Sequence, residues 1–208
     1  MKILYIDTSS SYLYTAIIKD SCLLCEVKKE FGHSLSEVAL PEIVSMFQDN
    51  KIEPNEIDKI IVVNGPGSFT GIRIGITIAK VYAWSLNIPI TTITSLEAMM
   101  LSSKSEGIRV PIIDARRKYV FAAIYDGENK VILKPQHIKI EDLKIELDKL
   151  SKYQVITNDE LEEFPQSEKY DPDINKIVNY FKEKEAINPH AVNPDYLKLT
   201  EAEESRLN

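Results

Sequence analysis

Glycine is scarce in this chain: seven residues among 208, and none beyond Gly127. A loop that lets a phosphate touch the backbone usually depends on glycine, so the chain after Gly127 has no means to build one. Two cysteines cannot make a disulfide framework. Cys22 and Cys25 lie three apart in a run that reads as strand, where they point to opposite faces, and are expected as buried thiols in a reducing cytoplasm. Histidine is rarer than a metal site needs, with three in all. His33 and Glu37 are four apart, but Ser34 as N-cap leaves His33 outside the helix, and one His with one Glu is not a site. No stretch approaches the roughly 20 apolar residues that span a bilayer, and Met1–Asp7 lacks a secretory apolar core, so no membrane association is expected. Excess positive charge is missing too. The net charge of −7 argues against unaided capture of a nucleic-acid backbone, and any such role must lean on a partner.

What is present is enough apolar sequence, 44%, for one large domain or two small lobes. Residues 2–6, 12–18 and 22–28 read as a three-stranded meander. Ser34-Leu35-Ser36-Glu37 has the pattern of a capping box opening a helix to about Asn50, with Pro41 expected to kink it. Ile60–Val63 reads as a buried strand, followed by a glycine-rich turn, a helix to about Leu86, a strand at Ile90–Ile93 and a helix from Ser95 to about Ser103. After a linker at 104–107, strands are expected at Ile108–Asp114, Tyr119–Tyr125, Lys130–Leu133 and Gln154–Ile156. Helices are expected at Ile140–Leu150 and Asp173–Lys184. Ile6-Asp7 and Ile113-Asp114 end equivalent strands, which points to a duplicated unit. The expected division is 1–104 and 105–208, each α/β with ribonuclease-H-like strand order. The acidic runs Glu160–Glu163 and Glu201–Glu204 read as solvated surface.

Four of the seven glycines fall between Asn64 and Gly75. A strand before them and a helix after them is the geometry of a phosphate cradle, yet the specific templates fail. No lysine follows until Lys80, against the P-loop, and Thr70 stands where a dinucleotide fingerprint needs its third glycine. Pro66-Gly67 instead makes a turn, with Ser68 or Thr70 as helix cap. Gly71 and Gly75 then lie in the helix at i,i+4, continued by Ala79 and Ala83. Glycine inside a helix costs roughly 0.5–1 kcal/mol each, so another backbone is expected to pass close by. Ile72, Ile74, Ile76, Ile78, Val81, Tyr82 and Trp84 make this helix apolar nearly all round. It is either buried within its own domain or offers one face to a second chain. Arg116-Arg117-Lys118 is a compact basic cluster at a strand-to-strand turn, either a solvated tip or a phosphate contact.

These residues resemble the TsaB (YeaZ) family of tRNA threonylcarbamoyladenosine biosynthesis subunits. The likeness rests on Ile6–Ser10, His33-Ser34, Leu40-Pro41, Gly65–Gly75, Ser95-Leu96, Asp114–Arg116 and Pro194–Leu197, dense to about residue 125 and thin after it. It implies two ribonuclease-H-like lobes of the actin/Hsp70/sugar-kinase (ASKHA) superfamily. It also implies a non-catalytic subunit that binds and activates a catalytic paralogue, TsaD, as a heterodimer through first-lobe helices. TsaE is a further implied partner, and tRNA is met only through the complex. An interface is expected at His33, Leu35, Phe69, Gly71, Ile72, Gly75, Ile76, Ala79 and Ala83, with Gly75→Leu breaking the complex and sparing the fold. No catalytic or metal residue is expected: Ser9 replaces the phosphate-turn glycine, and Ser95 and Met99 fall where the paralogue has its metal-binding histidines. No cofactor is expected on the chain alone, with ATP or ADP only at a subunit interface, where Arg116 is the candidate contact. The rivals are an autonomous ATP-dependent phosphotransferase or hydrolase and a homodimeric binding module.

Overall fold

The computed structural model describes residues 1–198, leaving aside the His33 side chain. Two compact units emerge. Met1–Ala98 associates with Pro172–Asp195, and Met99–Asp171 with the described residues after Asp195.

The first unit is a five-stranded sheet. β1 (Lys2–Asp7), β2 (Tyr12–Lys19) and β3 (Cys22–Glu30) form the antiparallel meander expected from three short β-rich runs, and β4 (Lys59–Val63) and β5 (Ile90–Ile93) add on parallel, in the order β3-β2-β1-β4-β5. β4 is an unbroken apolar run apart from Lys59 because it lies inside the sheet, between β1 and β5, and is buried on both faces. α1 (Leu35–Asp49) and α2 (Phe69–Leu86) pack on each other, with α2 also against β1 and β4. α3 (Ser95–Ser102) follows β5.

The second unit repeats the plan with one strand fewer. β6 (Ile108–Asp114), β7 (Tyr119–Tyr125), β8 (Val131–Lys139) and β9 (Tyr153–Ile156) run in the order β8-β7-β6-β9, with β9 parallel to β6. α4 (Ile140–Leu147) lays Ile140, Leu143 and Leu147 on a core with Val110, Ile112, Val120 and Ala122. The duplication is visible at atomic level. β1 ends at Asp7 and β6 at Asp114, and each carboxylate accepts the backbone N–H two residues on, from Ser9 and Arg116, both at 2.8 Å.

Four local expectations change. Ser34 does not form a capping box: its hydroxyl donates to the Phe31 carbonyl at 2.8 Å, closing a 3₁₀ turn over Gly32–Ser34. α1 continues through Pro41 as one helix. β8 extends to Lys139, past Pro135, because an edge strand tolerates a residue without an N–H. Cys22 is exposed and Cys25 half-buried, since β3 is also an edge strand, covered less than the buried reading assumed.

The largest difference concerns α5 (Ile174–Phe181), read from sequence as the end of the second lobe. Its Ile174, Ile177, Val178 and Phe181 are buried, and it packs on β1 and β2 of the first unit. The chain after it stays there: Ile187 pairs with Ile90, and Asp195 N–H donates to the Asn64 carbonyl at 2.7 Å.

Candidate functional site: the glycine segment and the helix pair

The segment from Asn64 to Gly75 organises the first unit. Ser68 caps α2, accepting from Gly71 N–H at 3.2 Å. Gly65 and Gly67 take positive φ values of 116° and 153°, and a Cβ on either would overlap backbone, that of Asp195 at Gly65 and of Ser9 at Gly67. Ser68 N–H donates to the Ser9 carbonyl at 2.7 Å. The Thr8 hydroxyl donates to the Gly71 carbonyl at 2.7 Å.

Gly71 and Gly75 do admit a close neighbour, and that neighbour is the end of β1. A Cβ at Gly71 would overlap the Thr8 carbonyl oxygen, and one at Gly75 the Thr8 hydroxyl, both closer than 3.0 Å. This corrects the expected interface. Gly71, Ile72, Gly75, Ile76, Ala79 and Ala83 are all buried within the unit. Leu35 is buried with Leu13 and Ala39, against Ile74 and Ile78. All seven are covered by the unit's own packing. Of the expected interface residues, Phe69 is exposed, its ring under the Arg73 guanidinium at 3.7 Å, while the His33 side chain lies outside what the structure describes.

The exposed apolar surface sits beside them. Leu40 (53%) and Val44 (44%) stand out from α1, and Val81 (59%) and Trp84 (65%) from α2. Between the helices lies a groove of about 570 Å³ lined by Leu40, Ile43, Val44, Phe47, Ile78 and Tyr82 among others. Tyr82 closes one end, its hydroxyl donating to the Pro54 carbonyl at 2.6 Å, and burial pushes its pKa up to about 12. The sequence carried a signal for this face. Leu40 and Val44 are an i,i+4 apolar pair lying off the stripe that α1 buries.

The nucleotide-like positions are occupied otherwise. Asp7 is buried at 2% exposure, and desolvation raises its pKa above the ordinary carboxylate value, against hydrogen bonds from Ser9 and Tyr5 that lower it. A carboxyl that holds its proton more tightly folded than unfolded contributes full stability below about pH 4, lost as pH rises through the folded pKa. Asp7→Asn is therefore expected to raise the thermal midpoint at pH 7 and flatten that decline, the amide still accepting from Ser9 N–H. A melting series across pH 4–8 checks it, and an unchanged slope would exclude Asp7 as its source. The Ser95 hydroxyl is buried and donates to the Pro66 carbonyl at 2.7 Å, and Met99 is 4% exposed. Lys80, the first lysine after the glycines, donates to the Val192 carbonyl at 2.9 Å. Arg116, Arg117 and Lys118 are exposed at the β6–β7 turn.

Comparison with known proteins gives this architecture a family. Residues 29–203 match the family model described as TsaD: tRNA N6-adenosine threonylcarbamoyltransferase. The tRNA threonylcarbamoyladenosine biosynthesis protein TsaB of Bacillus subtilis (strain 168) is 32% identical over 98% of this chain and 96% of its own length. The chain belongs to the TsaB family. TsaB of Buchnera aphidicola subsp. Acyrthosiphon pisum is 34% identical over 51% of this chain. The solved structure of YeaZ from Pseudomonas aeruginosa shares the fold, with TM-score 0.77 over 94% of this chain and 99% of its own at 19% identity. As a TsaB-family member the chain has a role in tRNA threonylcarbamoyladenosine biosynthesis. Among the described residues no helix is long and apolar enough to cross a membrane.

Proposed function

We propose that this chain is the non-catalytic subunit that binds and activates the TsaD transferase, docking through the exposed faces of α1 and α2. The observation that carries this reading is the groove between those helices. Its apolar lining opens onto the exposed Leu40 and Val44 of α1, and Val81 and Trp84 add two more exposed apolar side chains on α2. The match to the transferase's own family model then reads as the match of a paralogue. Three packing details support a silent site. Gly67 and Gly71 lie directly on the Thr8–Ser9 backbone, where a phosphate turn would need open space. The Ser95 hydroxyl is committed to the Pro66 carbonyl, and Met99 offers a thioether where hard metal ions prefer oxygen or imidazole. TsaE joins as a further partner, and ATP or ADP binds only where subunits meet.

Leu40→Glu combined with Val44→Glu is expected to abolish the heterodimer peak on gel filtration with TsaD. Both side chains are exposed, so the thermal midpoint of the isolated chain should hardly move. A complex that survives the double substitution overturns the docking face. Micromolar binding of ATP with Mg²⁺ to the isolated chain, read by calorimetry, would instead favour an autonomous phosphotransferase. Sedimentation of the chain alone reports whether the same face closes a homodimer.

A further inference from the structure

The β6–β7 turn differs from its counterpart in the first unit. Where β1 leads into Thr8-Ser9-Ser10-Ser11, β6 leads into Ala115-Arg116-Arg117-Lys118, and the last three residues take positive φ values of 65°, 53° and 63°. Residues other than glycine enter the left-handed region singly as a rule, because Cβ crowds the following carbonyl. Three in succession, all cationic and all exposed, are held by Arg116 N–H on the Asp114 carboxylate and by Tyr119 N–H on the Arg116 carbonyl at 3.0 Å.

Immediately beside the turn, one face of the sheet carries aromatic rings. Tyr119 and Phe121 alternate with the buried Val120 and Ala122, so they share the face away from the core. His137 on β8 pairs with Phe121, and Lys139 with Tyr119. The Tyr119 and His137 rings stack at 4.6 Å with 11° between planes, and Phe121 leans on His137 at 5.4 Å. The Lys139 ammonium stands 5.9 Å from the Tyr119 ring. These side chains are half-buried or, for Lys139, exposed. Asp114, which accepts from Arg116 N–H, and Asp159, which accepts from Asp114 N–H at 2.7 Å, stand near the turn and are engaged with backbone. Ile140 N–H donates to the Lys118 carbonyl at 2.9 Å, which brings the exposed Glu141 and Asp142 of α4 close as well. The three cations are exposed on an otherwise acidic chain.

A row of π-faces bordered by cations is how proteins hold single-stranded nucleic acid, bases on rings and phosphates on Lys and Arg. We propose that the second unit carries a contact site for single-stranded RNA, with Arg116, Arg117 and Lys118 on phosphates and bases packed along the outer side of the Tyr119–His137–Phe121 cluster. Only the identity of the RNA, an anticodon loop, rests on the tRNA-modification role. The cations supply local attraction that the net charge conceals.

The test is fluorescence polarisation of a labelled anticodon stem-loop RNA with the full chain, titrated at low and rising salt. Arg116→Asn, Arg117→Asn and Lys118→Asn together keep residues that tolerate positive φ. The triple variant should bind at least about tenfold more weakly, its salt slope reduced by about 2, since each lost phosphate contact removes roughly 0.7 on a single strand. Tyr119→Leu with Phe121→Leu should weaken binding at least about fivefold and leave the slope unchanged. Melting curves confirm that each variant folds, and the exposed-turn variant keeps the test alive if the ring variant does not. Wild-type affinity and slope in the triple variant, or no binding by the wild type at low salt, overturn the site. Gel filtration with TsaD separates the two readings: the triple variant should still form the heterodimer, and loss of the heterodimer in Leu40→Glu/Val44→Glu leaves RNA contact by the isolated chain untouched.

Discussion

Gly75→Ala is expected to destabilise the isolated chain, and to become nearly harmless once Thr8→Ala is present. At Gly75 the new Cβ meets the Thr8 hydroxyl oxygen, while the next atoms, Ile6 Cγ2 at 3.5 Å and Thr8 Cβ at 3.6 Å, are at ordinary contact distance. Removing the hydroxyl clears the space, and alanine then recovers the helix propensity that glycine forfeits, about 1 kcal/mol. The hydrogen bond from Thr8 to the Gly71 carbonyl is lost in exchange, at about 1 kcal/mol. Gly71→Ala behaves differently, because its Cβ overlaps the Thr8 carbonyl oxygen, which belongs to the backbone of β1. No side-chain substitution relieves it, and the helix must move off the strand at a cost of about 3 kcal/mol or more, the upper range of overpacking. Urea unfolding of the four variants checks the pattern. If Thr8→Ala fails to rescue Gly75→Ala, the contact does not limit how close α2 approaches. For Gly75→Leu the expectation reverses: the fold itself is damaged, so loss of a complex in that variant says nothing about an interface.

Lys59→Met should cost about 2–3 kcal/mol, which for a chain of this size lowers the thermal midpoint by roughly 5–10 °C. Lys59 is 7% exposed at the start of β4, and its ammonium donates to the carbonyls of Lys182 at 2.8 Å and Lys184 at 2.6 Å. Those carbonyls close the C-terminal end of α5, where helix groups lack partners and a cation is favourable. Methionine keeps the apolar stem and removes only the donor, leaving Lys184 with the weaker bond from the Thr91 hydroxyl at 3.3 Å. The same variant should become more sensitive to protease between residues 182 and 195. A midpoint unchanged within a degree would show that the ammonium is replaceable by water.

The sequence was most legible where a local rule and the tertiary context agreed. The continuous apolar run at Ile60–Val63 and the cap of α2, expected at Ser68 or Thr70 and found at Ser68, follow from nearest neighbours in the chain. The glycine ridge was read correctly as a close approach and assigned to the wrong neighbour. Periodicity reports that something is near Gly71 and Gly75, and it cannot distinguish Thr8 of the same chain from another molecule. Apolarity all round α2 misled for the same reason: Ile72 and Ile76 are buried, Ile74 and Ile78 meet the Leu13–Leu35–Ala39 cluster, and Val81 and Trp84 are exposed. The destination of α5 was illegible. Its strongly one-sided apolar face demands a sheet, and either unit could have provided one. The basic turn was visible as charge, but its left-handed backbone and the rings beside it depend on pairing between β7 and β8.

Because α5 and the segment to Asp195 belong with β1 and β2, residues 99–171 are, in chain order, an insertion within the first unit. That has a consequence for synthesis. The core of the second unit, formed between Val110 and Phe164, has all its residues before the first unit has received its last helix. As the chain leaves the ribosome, the inserted unit can complete its core while β1 and β2 still wait for α5. A fragment ending at the linker near residue 104 would stop at that waiting stage permanently, with the apolar surface of β1 and β2 that α5 covers left open to water.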